Sequence, residues 1–158
     1  MNKNIGIEIG QLLLSKGMTL STAESCTGGL IGHIITSVSG SSAYYKGGVI
    51  SYSNDIKRDV LGVQEAALAT YGAVSEAVVR QMASGVRRLM QTECAVATSG
   101  VAGPTGGTAE KPVGTVWIAV AVGEVVKAKC LHLNGNRESN ICESAESVLE
   151  MLREEICG

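Results

Sequence analysis

Apolar side chains along this chain recur with two different spacings, and the alternation between them outlines its secondary structure. Ile5, Ile9, Leu12 and Leu13 fall on one helical face, and Gly17 is placed to end that helix in a left-handed turn. Residues 18–23 are short and strand-like, after which Leu30, Ile31, Ile34, Ile35 and Val38 recur at helical spacing. A second strand is expected where Ile50 and Tyr52 alternate with Val49, Ser51 and Ser53, followed by a helix that carries Lys57 and that Asn54 or Asp55 can cap. Residues 64–71 read as a short helix ending at Gly72. A longer one follows a capping Ser75, with Val79, Met82, Ala83, Val86, Leu89 and Met90 as its apolar stripe.

Beyond it the pattern is mostly that of strands. Residues 94–98 form a short apolar run that opens into a glycine-rich loop over 99–107. Residues 114–122 are almost continuously apolar β sequence, the pattern of a strand covered on both faces and central in its sheet. Gly123-Glu124 turns the chain into residues 125–133, whose alternating lysines predict a half-exposed antiparallel partner. After a turn at 134–137 the chain closes with a helix striped by Ile141, Ala145, Val148, Leu149, Leu152 and Ile156. Strands that alternate with helices around a covered strand predict the α/β class, a single three-layer α/β/α sandwich with a mixed, mostly parallel sheet. No internal repeat or second domain interrupts residues 1–158, which are read as one domain.

Composition narrows the function classes. A chain of 158 residues can bury a full core without staples. Its net charge of −2, with lysines and arginines dispersed, predicts a small ligand and no nucleic-acid partner. Five widely separated cysteines, no Cys-x-x-Cys and two histidines argue against a zinc site or a disulfide framework. The first six residues lack an apolar signal core and no apolar run is long enough to span a bilayer, so the expectation is a cytoplasmic, reduced protein without a membrane partner. Phe is absent, which leaves small aliphatic side chains to fill the core.

The junction Thr22-Ala23-Glu24-Ser25-Cys26-Thr27-Gly28-Gly29 is the first candidate for chemistry. Ser25 falls in a tight strand-to-helix turn, where a hydroxyl can attack while the amides of Cys26, Thr27, Gly28 and Gly29 face an oxyanion. Taken alone, the octet reads more readily as a helix cap with glycines relieving crowding, because nothing in it specifies a base. Tyr52 and Lys57 gather at the next strand-to-helix junction, where a half-buried aromatic and a solvated lysine are the plainer reading. The 99–107 loop can present amides to a phosphate but lacks the Gly-Lys-Ser/Thr ending of a P-loop. Arg137 either reaches a ligand phosphate or pairs with a surface carboxylate. His33 reads as a core or surface histidine, and Cys26 as a rival nucleophile without a histidine partner.

Six separated blocks occur in order: the octet itself, Gly40-Ser41-Ser42, Tyr52-Ser53-Asn54, Gly72-Ala73-Val74-Ser75-Glu76, Ser99-Gly100-Val101-Ala102-Gly103-Pro104 and Lys111-Pro112-Val113-Gly114-Thr115-Val116. Together they closely resemble the CinA C-terminal domain family over nearly the whole chain. The resemblance implies hydrolysis of the carboxamide of nicotinamide mononucleotide, giving nicotinic acid mononucleotide and ammonia in pyridine-nucleotide salvage. It implies a serine amidase with no metal or other cofactor, in which Ser25 matches the nucleophile, Lys57 the base and Tyr52 an assisting group. Substrate contacts are then expected from Cys26, Thr27, Gly28 and Gly29, from Ser99, Gly100, Ala102 and Gly103, and from Thr115 and Arg137. A homo-oligomer is expected by the same analogy.

Thr105 stands where relatives often carry an acidic residue, and Asn136 replaces the aspartate of a Gly-Asp-Arg turn. Both lie in expected binding loops and bear on substrate preference. The molybdopterin-binding-like domain of longer CinA proteins is missing from this sequence, so an ADP-ribose pyrophosphatase activity is not expected. The alternative within the family is a non-catalytic nucleotide-binding or interaction domain of the competence/damage-inducible type.

Overall fold

The computed structural model describes residues 4–158; residues 1–3, the start of the stretch read as lacking a signal core, lie outside the described residues. Five strands, β1 (Leu20–Glu24), β2 (Tyr45–Ile50), β3 (Cys94–Gly100), β4 (Thr115–Val122) and β5 (Val125–His132), form one sheet in the order β2-β1-β3-β4-β5. β1 pairs parallel with both β2 and β3, whereas β4 runs antiparallel to β3 and β5. Four strands therefore share one direction and β4 opposes them, which is the mixed, mostly parallel sheet the pattern predicts. The helices are α1 (Ile5–Lys16), α2 (Leu30–Thr36), α3 (Asn54–Asp59), α4 (Glu65–Tyr71), α5 (Glu76–Met90) and α6 (Arg137–Cys157). No helix among the described residues is long and apolar enough to cross a membrane.

The two faces of the sheet carry side chains of different size. Leu20, Cys94, Val96, Val116, Ile118 and Val120 point to one face and pack with Ile5, Ile9 and Leu13 of α1, Ile31 and Ile35 of α2, and Val148, Leu149 and Leu152 of α6. Ala23, Ala95, Ala97, Ala119 and Ala121 point to the other and pack with Val78, Val79, Met82, Ala83 and Val86 of α5 and with Leu68 of α4. Alternation of large and small residues along β1, β3 and β4 thus gives α5 an alanine-lined bed while the bulkier face takes three helices.

Several boundaries differ from the sequence reading, each for a local reason. β2 begins and ends earlier than residues 49–53, because Gly47 and Gly48, which look like a loop, belong to the strand. A Cβ on Gly48 would stand 2.1 Å from Thr22 Oγ1, so only glycine lets this edge strand lie against β1. Ser53, not Asn54 or Asp55, caps α3 by accepting the Ile56 N–H at 3.3 Å. β3 extends through Ser99 and Gly100, which pair with Trp117 and Val116, so the glycine-rich loop starts later than expected. β4 is interior but not central; β3 occupies the middle. α6 starts at Arg137, with Asn136 as its cap accepting the Ser139 N–H at 2.9 Å.

α5 also fixes the segment that holds Lys57. A Cβ on Gly85 would lie 1.9 Å from the Leu61 carbonyl oxygen, and the chain there turns back so that the Val63 N–H bonds the Lys57 carbonyl at 3.0 Å. Gly85→Ala is therefore expected to destabilise the fold by about 2–3 kcal/mol in urea unfolding, although alanine is the better helix former by about 1 kcal/mol at an open site. A neutral or stabilising result would contradict this close approach.

Candidate active site

The parallel strands deliver the site. β1, β2, β3 and β5 end on the same edge of the sheet, and the oppositely running β4 begins there. Ser25 follows β1, Ser51 and Tyr52 follow β2, residues 101–107 follow β3, Arg137 comes shortly after β5, and Thr115 opens β4. Every candidate residue of the sequence reading thus gathers at the carboxyl ends of the parallel strands, where open α/β sheets place ligands.

Ser25 is half-buried in the turn between β1 and α2. Its N–H bonds the Thr98 carbonyl at 3.1 Å, which extends the β1–β3 ladder by one residue past the strand end. The amides that follow are not all open to a substrate, and this corrects the expectation for the glycine pair. Gly28 N–H bonds the Ser25 carbonyl at 3.0 Å, and Gly29 N–H is taken by Glu24 Oε1 at 3.2 Å. The same carboxylate receives the Ile31 and Gly32 N–H groups at 2.9 and 3.0 Å and the Thr27 hydroxyl at 2.6 Å. Among the described residues, the N–H groups of Cys26 and Thr27 are the ones in this turn that no carbonyl or carboxylate of another residue accepts.

Lys57 reaches this turn from α3. It is 2% exposed, and its Nζ lies 3.1 Å from Ser25 Oγ and donates to the Ser51 carbonyl at 2.7 Å. Ser51 is itself fixed by its N–H bond to the Glu24 carbonyl at 2.8 Å. No carboxylate forms an ion pair with this amine among the described residues, and burial holds its pKa below the ordinary 10.5. Lys57 is thus a buried amine bonded to the Ser25 hydroxyl, not the solvated helix residue that is the plainer sequence reading.

Cys26 points the other way. Its side chain joins the core on the α1, α2 and α6 face, and burial pushes its thiol up to about 11, so it is neither exposed nor ionised as a nucleophile must be. His33 is exposed on α2. No three His, Cys, Asp or Glu side chains among the described residues gather as a metal site would require.

The rim of the site is a second hydrogen-bonded group. Tyr52 is 63% exposed, which rules out a half-buried strand aromatic, and its hydroxyl accepts from Arg137 Nη2 at 3.1 Å. Arg137 Nη1 donates to the Gly103 carbonyl at 2.9 Å, so the arginine ties the β3–β4 loop to the segment after β2, and among the described residues it pairs with no carboxylate. Tyr52 is placed with Arg137 and has no bond to Lys57 on which the expected assistance could rest. Ala102 and Gly103 are buried, whereas the hydroxyls of Ser99 and Thr115 turn into the fold and donate to the Ala73 and Pro112 carbonyls at 2.8 and 2.7 Å. Gly100 is packed so closely on β4 that a Cβ would meet Val116 at 2.6 Å.

Two organising residues escaped the sequence reading. Asn140 is fully buried; its side-chain amide donates to the Ala102 and Gly135 carbonyls and accepts from the Gly135 N–H, each at 3.0 Å. The signal was present, because buried positions 140, 144, 148, 152 and 156 run at four-residue intervals and the stripe therefore begins on Asn140, not on half-buried Ile141. Glu24 was visible in the octet, but an acidic residue beside a helix start carries no mark of burial.

The lowered pKa of Lys57 has a measurable consequence for stability. Between that native value and 10.5 the unfolded chain binds more protons than the native one, so stability rises with pH through this window. Lys57→Met removes the term. The wild type is expected to gain on the variant as pH is raised from 7 to 10, by at most about 1.4 kcal/mol per pH unit, in denaturant unfolding at stepped pH. A difference that stays flat or falls would contradict a buried, destabilised ammonium.

Comparison with known proteins agrees with this architecture. The CinA C-terminal domain profile matches residues 2–156. A CinA-like protein of Cytophaga hutchinsonii is 49% identical over 148 residues, covering 94% of this chain and 35% of the relative; the chain spans about a third of the length of the CinA-like relatives it matches. The nicotinamide-nucleotide amidohydrolase PncC of Enterobacter agglomerans is 50% identical over 137 residues, covering 85% of this chain and 83% of that protein. The crystal structure of the competence/damage inducible protein CihA from Agrobacterium tumefaciens superposes with a TM-score of 0.95 at 39% identity, covering 99% of this chain and 95% of that one. With six ordered sequence blocks, the sheet order and these relatives in agreement, the chain belongs to the CinA C-terminal domain family.

Proposed function

We propose that this protein hydrolyses the carboxamide of nicotinamide mononucleotide, releasing ammonia and nicotinic acid mononucleotide, with Ser25 as nucleophile and Lys57 as base. The observation that carries this reading is the 3.1 Å contact between Ser25 Oγ and a lysine Nζ that is 2% exposed. A serine hydroxyl is a weak nucleophile unless a neighbouring base takes its proton, and among the described residues the side-chain base bonded to it is that amine. The substrate follows from kinship with PncC, which covers most of both chains at 50% identity.

In the neutral amine one N–H points to the Ser51 carbonyl, which can only accept, and the lone pair is free to face Ser25 Oγ. Ser25 O–H gives its proton to Nζ as Oγ bonds to the carboxamide carbon, and the carbonyl π electrons move onto oxygen. The N–H groups of Cys26 and Thr27 are the donors available for that oxyanion, a contribution worth about 3–4 kcal/mol per donor in other hydrolases. Collapse of the intermediate breaks the C–N bond, and the ammonium of Lys57 returns its proton to the departing nitrogen as ammonia forms. Water then attacks the acyl ester with Lys57 again as base, which regenerates Ser25.

The remaining parts suit an anionic nucleotide. Arg137 is exposed and retains guanidinium donors beyond its bonds to Gly103 and Tyr52, so it can meet the 5′-phosphate while Tyr52 offers an aromatic wall for the ring. The loop carrying Ala102 and Gly103 borders the same space. Ser99, Gly100 and Thr115 shape its floor through their packing.

Ammonia release from nicotinamide mononucleotide tests the proposal. Turnover is expected from the wild type and a loss of roughly 10³-fold or more in kcat from Ser25→Ala and from Lys57→Ala, both still folded. kcat/KM is expected to rise with pH through the lowered Lys57 pKa, below 10.5, as the amine becomes neutral. Nucleotide binding without turnover by the wild type would overturn the amidase and favour a non-catalytic binding domain.

A further inference from the structure

We propose that Glu24 is the positioning residue of the nucleophile turn, setting Ser25 and reserving the Cys26 and Thr27 N–H groups for the substrate by saturating the other donors around them. The inference rests on the Ser25–Lys57 reading above and concerns a group that does not itself touch the reacting atoms. Glu24 ends β1, immediately before Ser25, and is 2% exposed. A carboxylate is costly to bury without partners. Here no lysine, arginine or histidine pairs with it among the described residues; its charge is met by four donors, the Thr27 hydroxyl and the N–H groups of Gly29, Ile31 and Gly32.

Proton accounting makes the arrangement directional. An ionised carboxylate only accepts, so the Thr27 O–H must point at Glu24, and the Thr98 hydroxyl, 2.8 Å from Thr27 Oγ1, must in turn donate to Thr27. Thr98 and Glu24 therefore grip Thr27 from both sides, and the Thr98 carbonyl also holds the Ser25 N–H at 3.1 Å. An ordinary Ser or Asn cap would satisfy one or two amides at the start of α2. The carboxylate satisfies three from outside the helix and leaves the turn no rival donor to reorganise toward when charge develops on the substrate oxygen.

The main chain of the same residue reaches the base. Glu24 C=O accepts the Ser51 N–H at 2.8 Å, and Ser51 C=O accepts from Lys57 Nζ at 2.7 Å. One residue thus sets the nucleophile turn through its side chain and the perch of the base through its backbone. Only the side-chain part is open to substitution.

The test is Glu24→Gln, which keeps the volume but replaces one acceptor oxygen by an NH2 group. In either orientation that NH2 faces donors: the Gly32 N–H on one side, or the Thr27 O–H and the Gly29 and Ile31 N–H groups on the other. Ammonia release from nicotinamide mononucleotide and covalent labelling of Ser25 by a sulfonyl fluoride are measured well below the melting temperature of each protein. The expected result is a fall of about 10–100-fold in kcat with KM within about threefold, and a parallel fall in labelling rate, because a misplaced nucleophile loses rate and keeps its binding surface. A folded variant with wild-type kcat and labelling, or one whose loss lies wholly in KM, would overturn the inference and leave the amidase reading standing. Should Glu24→Gln not fold, Thr98→Val removes the hydroxyl that donates to Thr27; a drop of several-fold in kcat and labelling is expected, and wild-type values would overturn the inference. A wild type that neither turns over nor labels would overturn the serine–lysine reading itself, and this inference with it.

Discussion

A lysine amine withdrawn from water and set against a serine hydroxyl is the constraint to which the rest of this structure answers. Lys57 cannot be buried by α3 alone, which is only six residues long. The amine needs an acceptor, the Ser51 carbonyl, and that carbonyl is fixed by the register in which β2 lies parallel to β1, with Ile50 opposite Glu24. Gly48 of β2 lets this edge strand approach closely enough to keep that register, and Gly85 of α5 lets the chain after α3 tuck in behind Lys57. Backbone geometry far from the hydroxyl therefore decides whether the amine meets it.

The same economy governs hydrogen-bond donors. At the start of a short helix several N–H groups lack internal partners, and any of them left free would compete for a substrate anion. Glu24 removes three of these amides at the start of α2, and the Ser25 carbonyl removes Gly28. Across the site, Arg137 and Asn140 perform the matching service for carbonyls, holding Gly103, Ala102 and Gly135. Buried polar groups that are fully satisfied rigidify their surroundings, so the network supplies preorganisation where a flexible loop would not.

Much of this was legible in the residues. Helical and alternating spacings place the sheet and its two helical layers, and the strand-to-helix turn at Ser25 stands out because apolar periodicity changes there from two to nearly four. The hairpin at Gly123 follows from its sequence alone, and Val122 does pair with Val125. What the pattern could not carry was anything that depends on which polar side chain is inside. Lys57, Glu24 and Asn140 are types normally solvated, and their burial is decided by tertiary partners that no local spacing encodes. Gly48 misleads for a related reason, since a residue needed for close approach looks the same in sequence as one needed for a turn. Tyr52 and Arg137 were each singled out, but their bond to one another, across 85 positions, was not.

The most direct test of the central claim is to catch the covalent intermediate. The protein is mixed with excess nicotinamide mononucleotide, quenched in acid within the first turnover, digested and weighed by mass spectrometry. The account predicts an ester of the nicotinoyl nucleotide on the peptide that contains Ser25, absent from Ser25→Ala and accumulating when the second, water-consuming step is slowed. Turnover that proceeds at full rate with no adduct on that peptide at any quench time would contradict a serine nucleophile, and would leave Lys57 activating water directly.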